Sequence, residues 1–502
     1  MIAGHIIGGP MLRPWKVVLA QRLQPASDTP LYMQIVHAMI HEIQRGRLPP
    51  GTFLPGTRNL AEALAVNRKT IVTAYEELVA QGWLQSLGRR GTIVSSSLPE
   101  SEAPLRNAGG LPSAFEPERP IAYPFRQPPE RPLAVPSGAW LKLDEGAPDG
   151  RLFPADLLAR AYRTAILSAS REGRLLYRDP RGSPALRRSV ALMLHRERGL
   201  LVEPENICIT RGSQMGIFLA ARILSRPGSV VLVEELTYEP AVAAFRACGA
   251  TVMPVRLDAE GLDVADVERQ CRAHRVGAIF LTPHHQFPTT VSLRPERRLR
   301  LLELARQFGF AVIEDDYDHE FRFGSQPLLP MASYAPEHVL YLGSLSKLLL
   351  PALRIGYIAA PERLIDSLAY EVSTLDGMGN TVTEDAAAEL IDSGEVRRHA
   401  RKATQVYAGR RNAFAHAVET HLGDLCEMRL PQGGLALWLA FRDHAVLDRI
   451  ERRAPELGLS FAPSHSYMVR PEAERGLRLG FASLDEVDAE AVIAALAHAA
   501  RI

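Results

Sequence analysis

Lys347 lies in the run Ser344-Leu345-Ser346-Lys347-Leu348-Leu349-Leu350-Pro351-Ala352-Leu353-Arg354-Ile355-Gly356. A primary amine among small hydroxyls, with a guanidinium seven positions on, supplies the groups that a phosphorylated aldehyde cofactor requires. The amine forms a Schiff base with the aldehyde, while hydroxyls and guanidinium hold the phosphate. Upstream, Asp315 and Tyr317 stand two residues apart. A carboxylate beside a pyridine nitrogen keeps that nitrogen protonated, so the ring draws electrons, and a phenol can bond a ring hydroxyl. Together these residues call for pyridoxal 5'-phosphate (PLP).

Such groups need a scaffold, and from about residue 138 onward strand and helix patterns alternate. Short apolar runs such as Ile207-Cys208-Ile209, Val230-Val231-Leu232-Val233, Ala278-Ile279-Phe280-Leu281 and Ala311-Val312-Ile313 are bounded by turns. Helical patterns over 216–225 and 296–308 fall between them. The alternation predicts an α/β fold, a mainly parallel sheet with helices on both faces and ligands at the carboxyl ends of the strands. A smaller α/β lobe is expected after about residue 390, with Leu435–Leu439 as one strand.

The polar residues that follow those strands are the candidates. Gly212, Ser213 and Gln214 open a helix after one strand, where backbone amides can bind an anion; a bare strand-to-helix turn would leave the same trace. Tyr238 follows the next strand and could stack on a flat ring or simply pack. Gln286 lies in the loop Pro283–Thr290 after a third. The cluster Glu314-Asp315-Asp316-Tyr317-Asp318 follows a fourth. Read alone it could be a metal site, but no second ligand group stands at a recognisable spacing, so no metal is expected.

Residues 29–97 have another character. An amphipathic stretch places Ile35, Met39 and Ile43 on one face, and Pro49-Pro50-Gly51 ends it. Thr57 is expected to cap a second helix and Asn67 a third. The segments Trp83–Ser86 and Thr92–Val94 flank Leu87-Gly88-Arg89-Arg90-Gly91, a hairpin with a basic tip. Three helices and a hairpin make a winged helix-turn-helix. The segment holds seven Lys or Arg against four Glu and no Asp, a local positive charge suited to phosphates. Between the two regions, residues 98–137 carry Pro repeatedly from Pro99 to Pro136 and read as an extended linker.

The pieces PLYMQI, GRLPPGTFLPGTRNLAEAL, NRKTIVTAYEELVAQGWL and RRGTIV resemble the DNA-binding domain of GntR-type bacterial regulators. That resemblance implies that Arg58, Arg68, Lys69, Thr70, Arg89 and Arg90 contact DNA, with the third helix in the major groove. Gly56 departs from it, standing where the family usually has Ser. Residues 138–502 resemble the fold type I PLP enzymes, the aminotransferase fold. This second resemblance implies that Lys347 is the Schiff-base lysine, that Asp315 pairs with the pyridine nitrogen, and that Tyr317 and Gln286 bond the ring hydroxyl. Gly212, Ser213, Gln214, Ser344, Ser346 and Arg354 would surround the phosphate. Tyr177, in Leu176–Gly182, resembles the tyrosine that reaches a neighbouring subunit's phosphate, which implies a homodimer. Arg478 resembles the arginine that pairs with a substrate carboxylate. The form His285-Gln286-Phe287-Pro288 is similar to that of the MocR-type regulators, which fuse a GntR-type helix-turn-helix to an aminotransferase-like domain. Thr290, where Gly is common, departs from that group and predicts a different turn.

The remaining signals narrow the class. A net charge of +1 confines any DNA-binding charge to a local patch. The four cysteines are scattered and read as reduced structural thiols of a cytoplasmic protein. No apolar run approaches a membrane span, and the first residues lack a secretory pattern. Met11 could be an alternative start. The expected function is a PLP-dependent transcriptional regulator that binds operator DNA and an amino compound as effector. The alternative is a working transaminase with an accessory DNA-binding domain.

Overall fold

The computed structural model describes Leu23, Pro124 and residues 29–99, 141–324 and 328–501. It divides into two compact units, before and after residue 128. Most of the expected linker, and Met11, lie outside the described residues.

In the first unit, helix α1 (Leu31–Gln44) buries Ile35, Val36, Ala38, Met39 and Ile43, the face that the periodicity marked. It crosses helix α3 (Arg68–Ala80), which buries Ile71, Ala74, Tyr75 and Leu78. Between them runs the short helix α2 (Thr57–Ala63). Strands β1 (Leu84–Ser86) and β2 (Thr92–Val94) pair antiparallel with Leu84 opposite Val94. Their connection turns through Gly88 and Gly91, both at positive φ, a conformation that glycine adopts without a Cβ clash. Asn67 caps α3 as expected, its Oδ1 accepting from the Lys69 amide at 2.8 Å. The expected cap at Thr57 is corrected: Gly56 holds that position and Thr57 is the first helical residue. Gly56 has no side chain to accept an amide, so α2 begins without a side-chain cap.

The second unit is built on a seven-stranded sheet. Its strands are β3 (Ile207–Thr210), β4 (Val230–Glu234), β5 (Thr251–Val255), β6 (Val276–Leu281), β7 (Ala311–Asp316), β8 (Val339–Ser344) and β9 (Gly356–Ala359). The order across the sheet is β3-β9-β8-β7-β6-β4-β5. Only β9 runs antiparallel, to both neighbours. Alternate residues feed two cores: Ile209, Leu232, Ile279, Leu281 and Val312 join one, while Cys208, Val231, Val233, Phe280 and Ile313 join the other. A strand buried on both faces reads as a continuous apolar run, which is how these appear in sequence. The first core is closed by helices such as α4 (Pro184–Arg198), the second by helices such as α5 (Gly212–Leu224).

A smaller lobe packs the 28-residue helix α6 (Glu395–Leu422) and the C-terminal helix α7 (Glu486–Arg501) against a three-stranded antiparallel sheet. Its strands are β10 (Cys426–Met428), β11 (Ala436–Phe441) and β12 (Gly476–Gly480). The expected strand 435–439 is therefore shifted and lengthened. The lobe is also not contiguous, because Leu143 belongs to its core and Leu143 N bonds Ser460 O at 2.9 Å.

Candidate functional site

Register brings the candidates to one end of the sheet. Thr210 at the end of β3 lies opposite Gly356, and Gly356 opposite Ser344 at the end of β8. Asp315 and Asp316 end β7 opposite Leu342 and Gly343. A Cβ on Gly356 would stand 2.6 Å from the Gly212 carbonyl carbon, so only glycine lets β9 approach the start of α5. Arg354 is held in the left-handed region at φ 52, its guanidinium lying against Gly212, and donates from Nη2 to Arg211 O at 3.2 Å. A guanidinium thus stands at the N-terminus of a 13-residue helix, a combination that attracts a phosphate. In the adjoining turn the Ser346 amide bonds Ser344 Oγ at 3.1 Å, and the Ser346 hydroxyl is buried with no partner among the described residues.

Lys347 donates from Nζ to Gly146 O at 2.5 Å. Burial lowers its pKa, opposed by the charges of Asp144 and Asp318, so its amine loses a proton more readily than an exposed lysine. Asp144 supports the loop that presents Gly146, its Oδ1 accepting from the Gly146 amide at 2.7 Å.

Asp315 is 4% exposed, and its Oδ1 has no hydrogen-bond partner among the described residues. Burial, with Asp316 and Asp318 nearby, pushes its pKa up to about 8. An orphaned buried carboxyl is costly and calls for a cationic or donor partner, which a protonated pyridine nitrogen supplies. Orphaned Asp315, orphaned Ser346 and the Arg354 cradle all fit PLP. The other carboxylates of the cluster each have a protein partner on at least one oxygen, although Asp316 Oδ1 and Asp318 Oδ2 are also buried without a hydrogen bond among the described residues. Glu314 accepts from the Met331 and Ala332 amides at 3.0 Å each. Asp316 pairs with Arg198 and accepts from Tyr341 Oη at 2.6 Å, and Asp318 Oδ1 lies 2.7 Å from His285 Nδ1.

Tyr317 donates from its hydroxyl to His285 O at 2.9 Å and accepts from Arg478 Nη2 at 3.2 Å. Arg478, 1% exposed, also donates to Glu145 O and Pro288 O and lies 4.7 Å over the Phe287 ring. Arg478 and Lys347 bond the carbonyls of adjacent residues, Glu145 and Gly146, and Arg478 bonds Tyr317, so the three share one pocket. The sequence reading missed Asp144, Glu145, Gly146 and His285. The first three sit far from any motif; His285 and its partner Asp318 flank positions that were singled out.

Several predicted residues have other occupations. Gln286 is buried, with Nε2 donating to Leu236 O and Phe287 O and Oε1 accepting from the amide and hydroxyl of Thr289. Those bonds fasten Gln286 within its own loop. Gln214 donates from Nε2 to Pro240 O at 3.3 Å, and its buried Oε1 has no hydrogen-bond partner among the described residues. Ser213 is half-buried in the first turn of α5. Tyr238 packs edge-on against Phe287 with ring centroids 5.4 Å apart. Tyr177 is 92% exposed and reaches none of these groups within its own chain. The different turn expected at Thr290 is also corrected. Thr290 takes φ 64, the left-handed conformation that glycine favours, and its amide bonds Gln286 O at 2.7 Å. For a β-branched residue this is a strained position.

In the first unit the basic candidates lie at the starts of α2 and α3 and on the wing. Arg58, Lys69 and Arg90 are exposed and make no ion pair among the described residues. Arg68 is exposed, with only a long contact of 3.4 Å to Thr57 Oγ1, and Thr70 is half-buried. The side chain of Arg89 lies outside the described ones. Free cations at a helix N-terminus, beside an exposed hairpin, form a surface suited to a phosphate backbone.

Residues 139–496 match the family described as aminotransferase class I and II, and residues 31–94 match the bacterial regulatory proteins of the gntR family. The chain is 30% identical to the probable rhizopine catabolism regulatory protein MocR of Rhizobium meliloti, over 91% of each chain. It is also 30% identical to the HTH-type pyridoxine biosynthesis transcriptional regulator PdxR of Corynebacterium glutamicum, covering 95% of this chain and 97% of that one. Among solved structures it resembles LysN, an α-aminoadipate aminotransferase of Thermus thermophilus complexed with N-(5'-phosphopyridoxyl)-L-leucine. That likeness has a TM-score of 0.67 at 28% identity and covers 73% of this chain and 92% of that one. Among the described residues no helix is long and apolar enough to cross a membrane.

Proposed function

We propose a function for a chain that belongs to the MocR-type regulators, in which a GntR-type helix-turn-helix is fused to an aminotransferase-like domain. Its large domain binds PLP at Lys347 and an amino compound against Arg478, and this occupancy biases how the paired winged helices sit on operator DNA. Asp315 carries the reading: a buried carboxyl with an unpartnered oxygen, at the same sheet end as Lys347 and the Arg354 cradle.

When bound, PLP supplies an aldehyde for amines and a ring that withdraws electrons from the carbon beside the captured nitrogen. This chain's own residues hold and orient it. Asp315 would pair with the protonated ring nitrogen; Arg354, Ser344, Ser346 and the first turn of α5 would hold the phosphate; and Tyr317, fixed by His285 O and Arg478, would bond the ring hydroxyl. Lys347, its proton loosened by burial, would be the amine for the aldehyde; without the cofactor it donates to Gly146 O, so tethered and free lysine would give the domain two discrete arrangements. Arg478 and the apolar rings of Phe287 and Tyr317 exclude water from the ligand side.

Residues 29–97 act as the DNA-binding unit, 98–137 as the linker and 138–502 as the effector unit of a cytoplasmic homodimer. Arg58, Arg68, Lys69, Thr70, Arg89 and Arg90 meet the DNA. A second reading is a working transaminase, favoured by Lys347, Asp315 and Arg478 all standing at one site. Absorbance titration of the protein with PLP and a panel of amines, read beside DNA binding, tests the pair. Spectral change that alters DNA affinity supports regulation; sustained turnover of amino donor and keto acceptor with no effect on DNA supports the enzyme.

A further inference from the structure

Away from the Lys347 pocket the large domain holds a cleft of about 1070 Å³. Its walls are α4, the segment around His319 and Glu320, Leu348, and the first turns of α6. The floor is polar and unsatisfied. Both carboxyl oxygens of Glu320 are buried without a hydrogen-bond partner among the described residues, and so is His319 Nε2. The Glu320 side chain is 6% exposed, and its Oε1 lies 3.4 Å from His319 Nε2. His319 turns Nδ1 toward the Asp316 carbonyl and carboxylate, at 3.4 and 3.6 Å, which leaves Nε2 as an acceptor. Burial holds the histidine at about 4 and raises the glutamic acid well above the usual carboxylate range, so neither is stabilised by the protein as an ion. Buried polar atoms are seldom left unpaired, and here three of them belong to residues lining one cleft.

The exposed side of the cleft has the opposite need. Arg188, Arg196 and Arg401 line it, are exposed, and make no ion pair among the described residues. Arginines in excess of carboxylates around an open cleft draw anions. Arg322 also lines the cleft, but its Nε goes to the His319 carbonyl and no hydrogen bond reaches the Glu320 carboxyl among the described residues, so the floor leaves acceptors open while the rim carries guanidiniums without a carboxylate partner. A molecule that answers both carries an ammonium for the floor and more than one carboxylate for the several guanidiniums of the rim.

We propose that this cleft is a second small-molecule site, which takes a free acidic amino acid with its ammonium on Glu320 and His319 and its carboxylates on the arginine rim. The proposal is independent of whether PLP binds at Lys347. It has a consequence for that site, because His319 and Glu320 continue the segment that carries Asp315, Tyr317 and Asp318, and Leu348 is the neighbour of Lys347. A ligand that shifts this floor shifts the residues around the Lys347 pocket as well.

The experiment uses the full-length chain, saturated with PLP and reduced with borohydride, so that the Lys347 amine and the cofactor aldehyde are both consumed. Isothermal calorimetry then measures L-glutamate, glutarate, which lacks the ammonium, and butylamine, which lacks the carboxylates. L-glutamate is expected to bind, with the two truncated probes weaker by about tenfold or more, as the loss of a charge-assisted bond implies. Glu320→Gln, nearly isosteric, and Arg401→Ala, at an exposed position, are each expected to weaken L-glutamate by about tenfold. The proposal is overturned by a reduced protein that does not bind L-glutamate, by glutarate binding as tightly, or by unchanged affinity in both variants. If borohydride leaves no lysine adduct, the PLP reading fails, and the same titration on the cofactor-free chain still decides this one.

Discussion

Lys347 and Asp315 pose opposite electrostatic problems, and the protein treats them differently. Lys347 has a carbonyl and several acids around it yet is still pushed toward neutrality by burial, which suits an amine that must attack an aldehyde. Borohydride reduction of the PLP-treated protein should trap the cofactor on Lys347, and Lys347→Ala should lose that adduct; an adduct mapped to another lysine would refute the assignment. Asp315 is a carboxyl whose folded pKa, about 8, lies above its unfolded value. The folded state therefore holds an extra proton between the two values, so this group's contribution to stability is present at low pH and is lost as pH rises through about 8. Without PLP, Asp315→Asn should melt no lower than the parent at pH 8, and should lose less stability between pH 6 and 8. With PLP the order reverses, because the amide cannot pair with the ring nitrogen. Thermal melts at both pH values, with and without cofactor, check this; a parent protein stabilised by rising pH without PLP would contradict it. These residues were legible in sequence because a lysine among serines and an Asp-x-Tyr after an apolar run are chemically unusual. The residues that position them were not. Gly146, Asp144 and His285 reach the pocket only through tertiary packing, and the full engagement of the Gln286 amide is a property of the folded loop.

At the scale of elements, periodicity located the strands and helices well, since alternating burial on two faces and an apolar stripe on α1 are written directly in residue order. The caps were read unevenly. Asn67 carries its own acceptor, whereas a glycine cap leaves no trace in the sequence, and Thr57 stood next to it. Asn67→Ala should destabilise the winged helix by about 1 kcal/mol, observed as a lower denaturant midpoint of that unit. The α3 end is also where DNA is expected. Removing one phosphate-binding charge, by Arg58→Ala or Arg68→Ala, should weaken operator binding and reduce the slope of log affinity against log salt by about one. PLP content should stay as in the parent. If both variants bind as tightly and with the same slope, the assigned surface is not the DNA surface. The strained turn at Thr290 offers a second test of elements: Thr290→Gly should raise stability by about 1 kcal/mol, whereas a fall would show that the threonine side chain supports the loop.

The whole molecule unites a DNA-binding unit and a cofactor-binding unit whose communication is the point of the account. Tyr177 is almost fully exposed beside Leu175 and Leu176, themselves 55% and 75% exposed, an apolar edge that a second copy of the chain would cover. Sedimentation with and without PLP should show a dimer that the cofactor stabilises; a monomer with PLP bound would remove Tyr177 from the site. Coupling between the units is tested most directly by one titration. Promoter DNA selected by the protein from random sequence is titrated at fixed ionic strength with the cofactor-free chain, the PLP-loaded chain and Lys347→Ala in the presence of PLP. PLP should change the DNA affinity of the parent and leave that of Lys347→Ala at the cofactor-free value. Identical affinities in all three would mean that the large domain does not speak to the DNA, and the regulatory account would fall.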